Sequence, residues 1–165
     1  MIGDISQSLR ALLSQSELQP AAGAGHVDIV FDRPGEAFAP SQDTINLFLY
    51  DIRENRDLTP PPSGGRHVAL ACLYLVTAWP SGGGELALRE HDLLGRVLGV
   101  LARNPAIPAR FLQGTLAGQT PPRLLLLHPE AMQSTAEFWT ALGGKLRPSL
   151  SLTVTLSLPV GTADG

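Results

Sequence analysis

The sequence predicts an α/β (α+β) fold in which a mixed, largely antiparallel sheet is flanked by helices. Three observations predict it. Segments with helical spacing of apolar residues alternate with strand-like segments, in the order α-β-β-β-α-β-α-β. The segment His67 to Trp79 is apolar on both faces, as a central strand is. The segment Ser149 to Leu158 alternates aliphatic and hydroxyl residues without a break, as a strand with one buried face does. Helices packed on a sheet are the economical way to bury such elements.

The elements follow in order. Ile5, Leu9, Leu12 and Leu13 form one stripe, and Asp4 with Gln7 three residues on resembles a capping box, so a helix is predicted over about residues 4 to 16. Val27, Ile29 and Phe31 alternate in a strand from His26 to Asp32, stopped by Arg33-Pro34-Gly35. A second strand runs from about Thr44 to Arg53, with Ile45, Leu47 and Leu49 on one face and Asn46, Phe48, Tyr50 and Ile52 on the other. Residues 59–65, with Pro60, Pro61 and Pro62, form either a solvated hairpin loop or an arm reaching a neighbouring subunit. After the central strand, Ser81-Gly82-Gly83-Gly84 leads to a helix over about Glu85 to Arg103, with Leu94, Val97, Leu98 and Leu101 as its core stripe. Asn104-Pro105 ends it. Arg123 to Leu127 reads as a short buried strand. Pro129 opens a helix with the stripe Met132, Ala136, Trp139 and Leu142, closed by Gly143-Gly144. The final strand leads into a flexible tail over 159–165, and residues 1–165 read as a single domain.

Composition narrows the function classes. The chain has 165 residues, enough to bury roughly 70% of its unfolded surface. Charged residues make up 16% and net charge is −3, so there is no basic excess to hold nucleic acid or an anionic membrane. A surface this poor in charge suits a protein covered by partners. The longest apolar stretch, Val68 to about Trp79, is shorter than the ~20 residues that span a bilayer. The N-terminus has no charged and apolar leader pattern, so assembly in the cytoplasm without a signal peptide is expected, with release by lysis. The single cysteine, Cys72, lies in an apolar run and reads as a buried hydrophobe.

Catalytic patterns are sparse. His26, His67, His91 and His128 are scattered, with no metal-ligand spacing. Neither a nucleophile elbow nor a phosphate loop is present. Asp28, Asp32, Asp51 and Glu54 would do acid–base work only if they converged on a cleft. Gly95 and Gly99 form a G-x-x-x-G that reads as a close helix–sheet contact. No enzyme activity, cofactor, metal or small-molecule substrate is expected. A small hydrolase or ligand-binding domain is the distant alternative.

Three segments together resemble a known family. They are residues 45–55 (INLFLYDIREN), then Leu73 to Ala78 followed by Leu93 to Leu98, and Phe138 to Leu142 followed by Leu146 to Leu150. In this order the chain resembles the N-terminal-type domain of the cap, or tail-terminator, proteins of extracellular contractile injection systems of the antifeeding-prophage and Photorhabdus-virulence-cassette type. The likeness runs from Ile5 to Leu158. It departs at Leu152 and Val154, where the family often has an aromatic. It also departs at the early prolines after Asn55 and at the end soon after the last strand, where family members often carry more sequence.

The resemblance implies a fold similar to phage tail terminators and a ring, typically six-fold, on the distal end of an inner tube. Such a ring stops tube growth and engages the last sheath layer. Its partners would be copies of itself, the inner tube protein and the sheath protein. Candidate interface residues are Phe48, Tyr50, Arg53 and Glu54 of the second strand, Pro60, Pro61 and Pro62 of the arm, and Ser151, Thr153 and Thr155 on the hydroxyl face of the last strand. Phe48 and Tyr50 can equally pack beneath a helix. The last strand is also a candidate for completion by a neighbour's backbone. A phage tail-completion or head–tail connector protein is the related alternative.

Overall fold

The computed structural model describes residues 1–14, 18–20, 25–55, 66–127 and 135–160. Among the described residues, three helices and five strands follow one another as α1 (Ile2–Ser14), β1 (Asp28–Val30), β2 (Thr44–Glu54), β3 (His67–Trp79), α2 (Leu86–Arg103), β4 (Arg123–Leu126), α3 (Thr135–Ala141) and β5 (Leu150–Pro159). Two short 3-10 turns, Ala109–Phe111 and Gly114–Leu116, separate α2 from β4. The predicted order of elements holds. The strands form one sheet in the order β1-β2-β3-β5-β4. Only β1 and β2 are parallel; the other pairs are antiparallel.

The main core lies between one face of the sheet and helices α1 and α2. Ile45 and Leu47 of β2, Cys72, Tyr74 and Val76 of β3, and Leu152, Val154 and Leu156 of β5 belong to it. Ile5, Leu9, Leu12 and Leu13 of α1 meet them, as their spacing predicts. On α2 the buried stripe is Leu93, Leu94, Val97, Val100 and Leu101, whereas Leu98 is only half-buried. The opposite face carries a thinner layer. Leu73 and Leu75 of β3 are buried there, and α3 lies on this side, with Trp139 buried and Phe138 against Tyr50 of β2.

Helix ends explain several boundaries. Asp4 does not cap α1 with Gln7; it pairs with the N-terminal amine at 2.8 Å and accepts from Thr115 Oγ1 at 2.6 Å. Gln7 instead accepts from Arg10. Asn104 ends α2 by donating its side-chain amide to Val100 O at 2.8 Å. At the end of α3, Gly144 N–H bonds Trp139 O, Gly143 N–H bonds Thr140 O, and Gly143 has φ 69°, a left-handed helix stop. Pro129 and Met132, the expected start of α3, lie outside the described residues, as do Pro60, Pro61 and Pro62.

Four further expectations change. Register shifts between Leu49 and Asp51, so Tyr50 is an extra residue in β2. This β-bulge reverses the face pattern beyond it. Ile52 pairs with Cys72 on the α1/α2 side and does not share the face of Phe48. The strand Arg123–Leu126 is an edge strand in which Leu124 is buried and Leu125 exposed. Gly95 is exposed, and a Cβ there would meet nothing within 4 Å, so the G-x-x-x-G makes no helix–sheet contact. Pro159, expected in the tail, still pairs with His67 in β5.

Candidate docking surfaces

The far end of the sheet is the first candidate surface. Here β2 and β3 run on beyond the helices, and burial along β3 falls from the sealed Cys72–Ala78 to partly or fully exposed residues at 67–71. Ile52, Val68 and Val160 are exposed on the α1/α2 side. The other side carries Asp51 and Arg53, whose Nε donates to Asp51 Oδ2 at 2.6 Å. Arg53 and Glu54 are both exposed. Phe48 and Tyr50 are half-buried, Tyr50 meeting Phe138 edge-to-face at 5.1 Å between centroids. Burial raises the Tyr50 hydroxyl above its usual pKa. Tyr50 thus touches α3 through Phe138.

The last strand is not a free edge. β5 lies between β3 and β4, and Thr153 and Thr155 are 8% and 6% exposed, with Ser151 half-buried. Thr153 and Thr155 are thus closed within the fold. Among the described residues, β5 runs on past β4 at its C-terminal end: β4 stops at Arg123, opposite Thr155. Val160 N–H bonds Arg66 O on the β3 side, and Leu127 N–H bonds Ser151 O on the β4 side. The alternation then points Ser157 N–H and C=O, and Pro159 C=O, to the open side. Pro159 has no N–H to offer, which keeps this opening short for backbone pairing.

A third surface unites residues far apart in sequence. A cavity of about 400 Å³ on the α3 side is lined by Phe38, Trp79, Trp139, Glu36, Lys145 and Arg147. Phe38 meets Trp79 edge-to-face at 4.7 Å. The Arg147 guanidinium lies 3.4 Å over the Trp79 ring, donates to Ala78 O at 2.9 Å and pairs with Glu90 at 3.1 Å. Burial of Arg147 lowers its pKa, while Glu90 opposes that shift. Leu146 beside this cluster is 64% exposed. Sequence reasoning missed the slot. The one signal that pointed to it is that both tryptophans of the chain line it.

The carboxylates Asp28 and Asp51 do not converge. Asp28 sits opposite the first residue of β2, Thr44, while Asp51 lies seven residues along that strand, roughly 23 Å away at ~3.3 Å per residue. Asp51 is engaged with Arg53 and the Ile52 N–H. Among the described residues no group of three or more His, Cys, Asp or Glu is placed to hold a metal ion. Burial pushes the Cys72 thiol up to about 11, far from a reactive thiolate. Among the described residues no helix is long and apolar enough to cross a membrane.

Comparison with known proteins accords with this picture. A search of curated proteins finds no match. The fold is similar to a cryo-EM structure of the sheath/tube terminator of a PVC extracellular contractile injection system in its extended state. That likeness has 23% identity and a TM-score of 0.73, and covers 99% of this chain and 58% of that one. It is also similar to the cryo-EM structure of the anti-feeding prophage cap, a tube-terminating cap, with 22% identity and a TM-score of 0.66, covering 98% of this chain and 55% of that one. The chain therefore spans somewhat over half the length of these structures. The family described as the Pvc16 N-terminal domain matches residues 4–164, nearly the whole sequence, and the chain belongs to that family.

Proposed function

We propose that the chain caps the inner tube of a contractile, phage-tail-like injection particle, as a ring on its distal end that stops tube growth and engages the last sheath layer. The observation that carries this reading is the family match over residues 4–164, to which the terminator and cap folds are similar. The chemistry asked of such a protein is docking alone. A tube grows because each ring exposes a fresh face for the next. A cap matches that face on one side and offers no further match on the other. The reading needs no cofactor and no catalytic residue. Its partners are the inner tube protein, the sheath protein and further copies of the chain, six in a closed ring.

The tip of β2 and β3, with Arg53 and Glu54 exposed, is the proposed contact with tube or sheath. Arginine is among the residues that anchor interfaces most often. The test is negative-stain microscopy of particles from cells lacking the gene. Uneven, naked or unsheathed tubes are expected. Fully sheathed particles of uniform length would overturn the cap reading.

A further inference from the structure

Two unexplained features lie at the same end of the sheet, on opposite sides of it. The slot lined by Phe38, Trp79, Trp139 and Arg147 lies on the α3 side. The first turn of α2 lies on the α1/α2 side, since α2 packs there through Leu93, Leu94 and Val97. This turn reaches past the core: Leu86 is 46% and Leu88 is 54% exposed, and Glu85 is exposed and makes no side-chain capping bond. Leu88 projects from this turn as an apolar knob, with the Glu85 carboxylate at the residue that opens the helix; Leu86, two residues before Leu88, points to another side.

The knob is held rigidly. Arg89 Nη1 donates to Ser81 O at 2.5 Å and to Gly83 O at 3.2 Å, and Arg89 Nη2 donates to both carboxylate oxygens of Asp43, at 2.8 and 3.0 Å. Asp43 also accepts from Ser81 N–H at 2.8 Å. These bonds pin the glycine turn before α2, in which Gly82 and Gly84 have φ 82° and 97°. A pinned knob loses little freedom on docking.

The slot matches the knob in both chemistries. Its aromatic walls and the exposed Leu146 suit leucine side chains. Its rim carries Lys145, Arg147 and Glu36, and Arg147 is already paired with Glu90, so the exposed Lys145 is the base best placed to meet a carboxylate. We infer that the Glu85–Leu88 turn of one copy docks into the Trp79–Trp139–Arg147 slot of the next. Knob and slot are different surfaces on opposite sides of the sheet, so the contact can repeat head to tail as a heterologous one, which closes into a ring when the rotation per copy divides a full turn. The inference rests on the ring reading and supplies its subunit contact.

The test uses the full chain, both purified and within particles. Leu88 and Lys145 are exposed, so Leu88→Cys and Lys145→Cys leave the core intact, and the buried Cys72 stays inert. Under mild oxidation the double variant is expected to give a ladder of linked chains longer than two, and each single variant none. Glu85→Lys or Lys145→Glu alone is expected to weaken self-association about tenfold, and mixing the two variants to restore it. A double variant with no ladder in either setting, or one that stops at dimers, overturns the inference. So do charge variants that assemble like the parent. If the deletion strain makes uneven tubes but no ladder forms, the subunit contact is wrong and the cap reading stands. A ladder with normal deletion particles has the converse meaning.

Discussion

Arg147 joins three parts of the chain: it stacks on Trp79, bonds the backbone at Ala78 and pairs with Glu90, which is only 12% exposed. A guanidinium suits this place because its planar fork can stack and donate at once. Replacing Arg147 by Met leaves Glu90 half-sealed without its partner. The expected loss is about 2 kcal/mol, below the figure for a fully buried pair because Arg147 keeps a quarter of its exposure. Urea unfolding measures it, and Glu90→Gln in the same chain is expected to recover part of the loss. A loss unchanged by the second substitution would mean that stacking on Trp79, and not the ion pair, holds the site together.

Helix α2 shows how an element can be over-read from spacing. The pair Gly95 and Gly99 has the pattern of a close contact, yet Gly95 faces open space. Glycine in an exposed helix interior costs up to about 1 kcal/mol relative to alanine. Gly95→Ala is therefore expected to raise the melting temperature by a few degrees, read by circular dichroism, with assembly unchanged. A stabilised chain that no longer assembles would show that this bare face receives a partner. In β2 the difference lies in the bulge at Tyr50. Alternation along a sequence counts residues, and one extra residue turns every later side chain over. Ile52 is thus on the α1/α2 side, where it stays 43% exposed beyond the reach of α1.

At the scale of the molecule, the sheet's far end carries exposed residues, Ile52, Arg53 and Glu54 among them. The bond from Arg53 to Asp51 is exposed and contributes little to stability. Arg53→Glu is expected to change unfolding stability by no more than about 0.5 kcal/mol while blocking incorporation into particles. Blotting of purified particles for the variant chain checks this, and normal incorporation would remove Arg53 from the interface. The proposed Arg53 contact and the inferred knob-and-slot contact lie at opposite ends of β3.

The sequence by itself determined the order and kind of the elements, because helical and strand periodicities are local properties of a few neighbouring residues. It also carried the likeness to the cap family, through the spacing of segments such as residues 45–55 and 138–150. It determined that β3 is central, since both its faces are apolar. Tertiary structure alone decided which strand lies beside which. The alternation of β5 says which side chains share a face, but not that β3 and β4 flank it and that Thr153 and Thr155 are sealed. Strand pairing depends on contacts between distant residues, which no local pattern encodes. The slot arises the same way: Phe38, Trp79, Trp139 and Arg147 are scattered along the chain, and only the packing of α3 and the entry to β5 against the end of β3 brings them together.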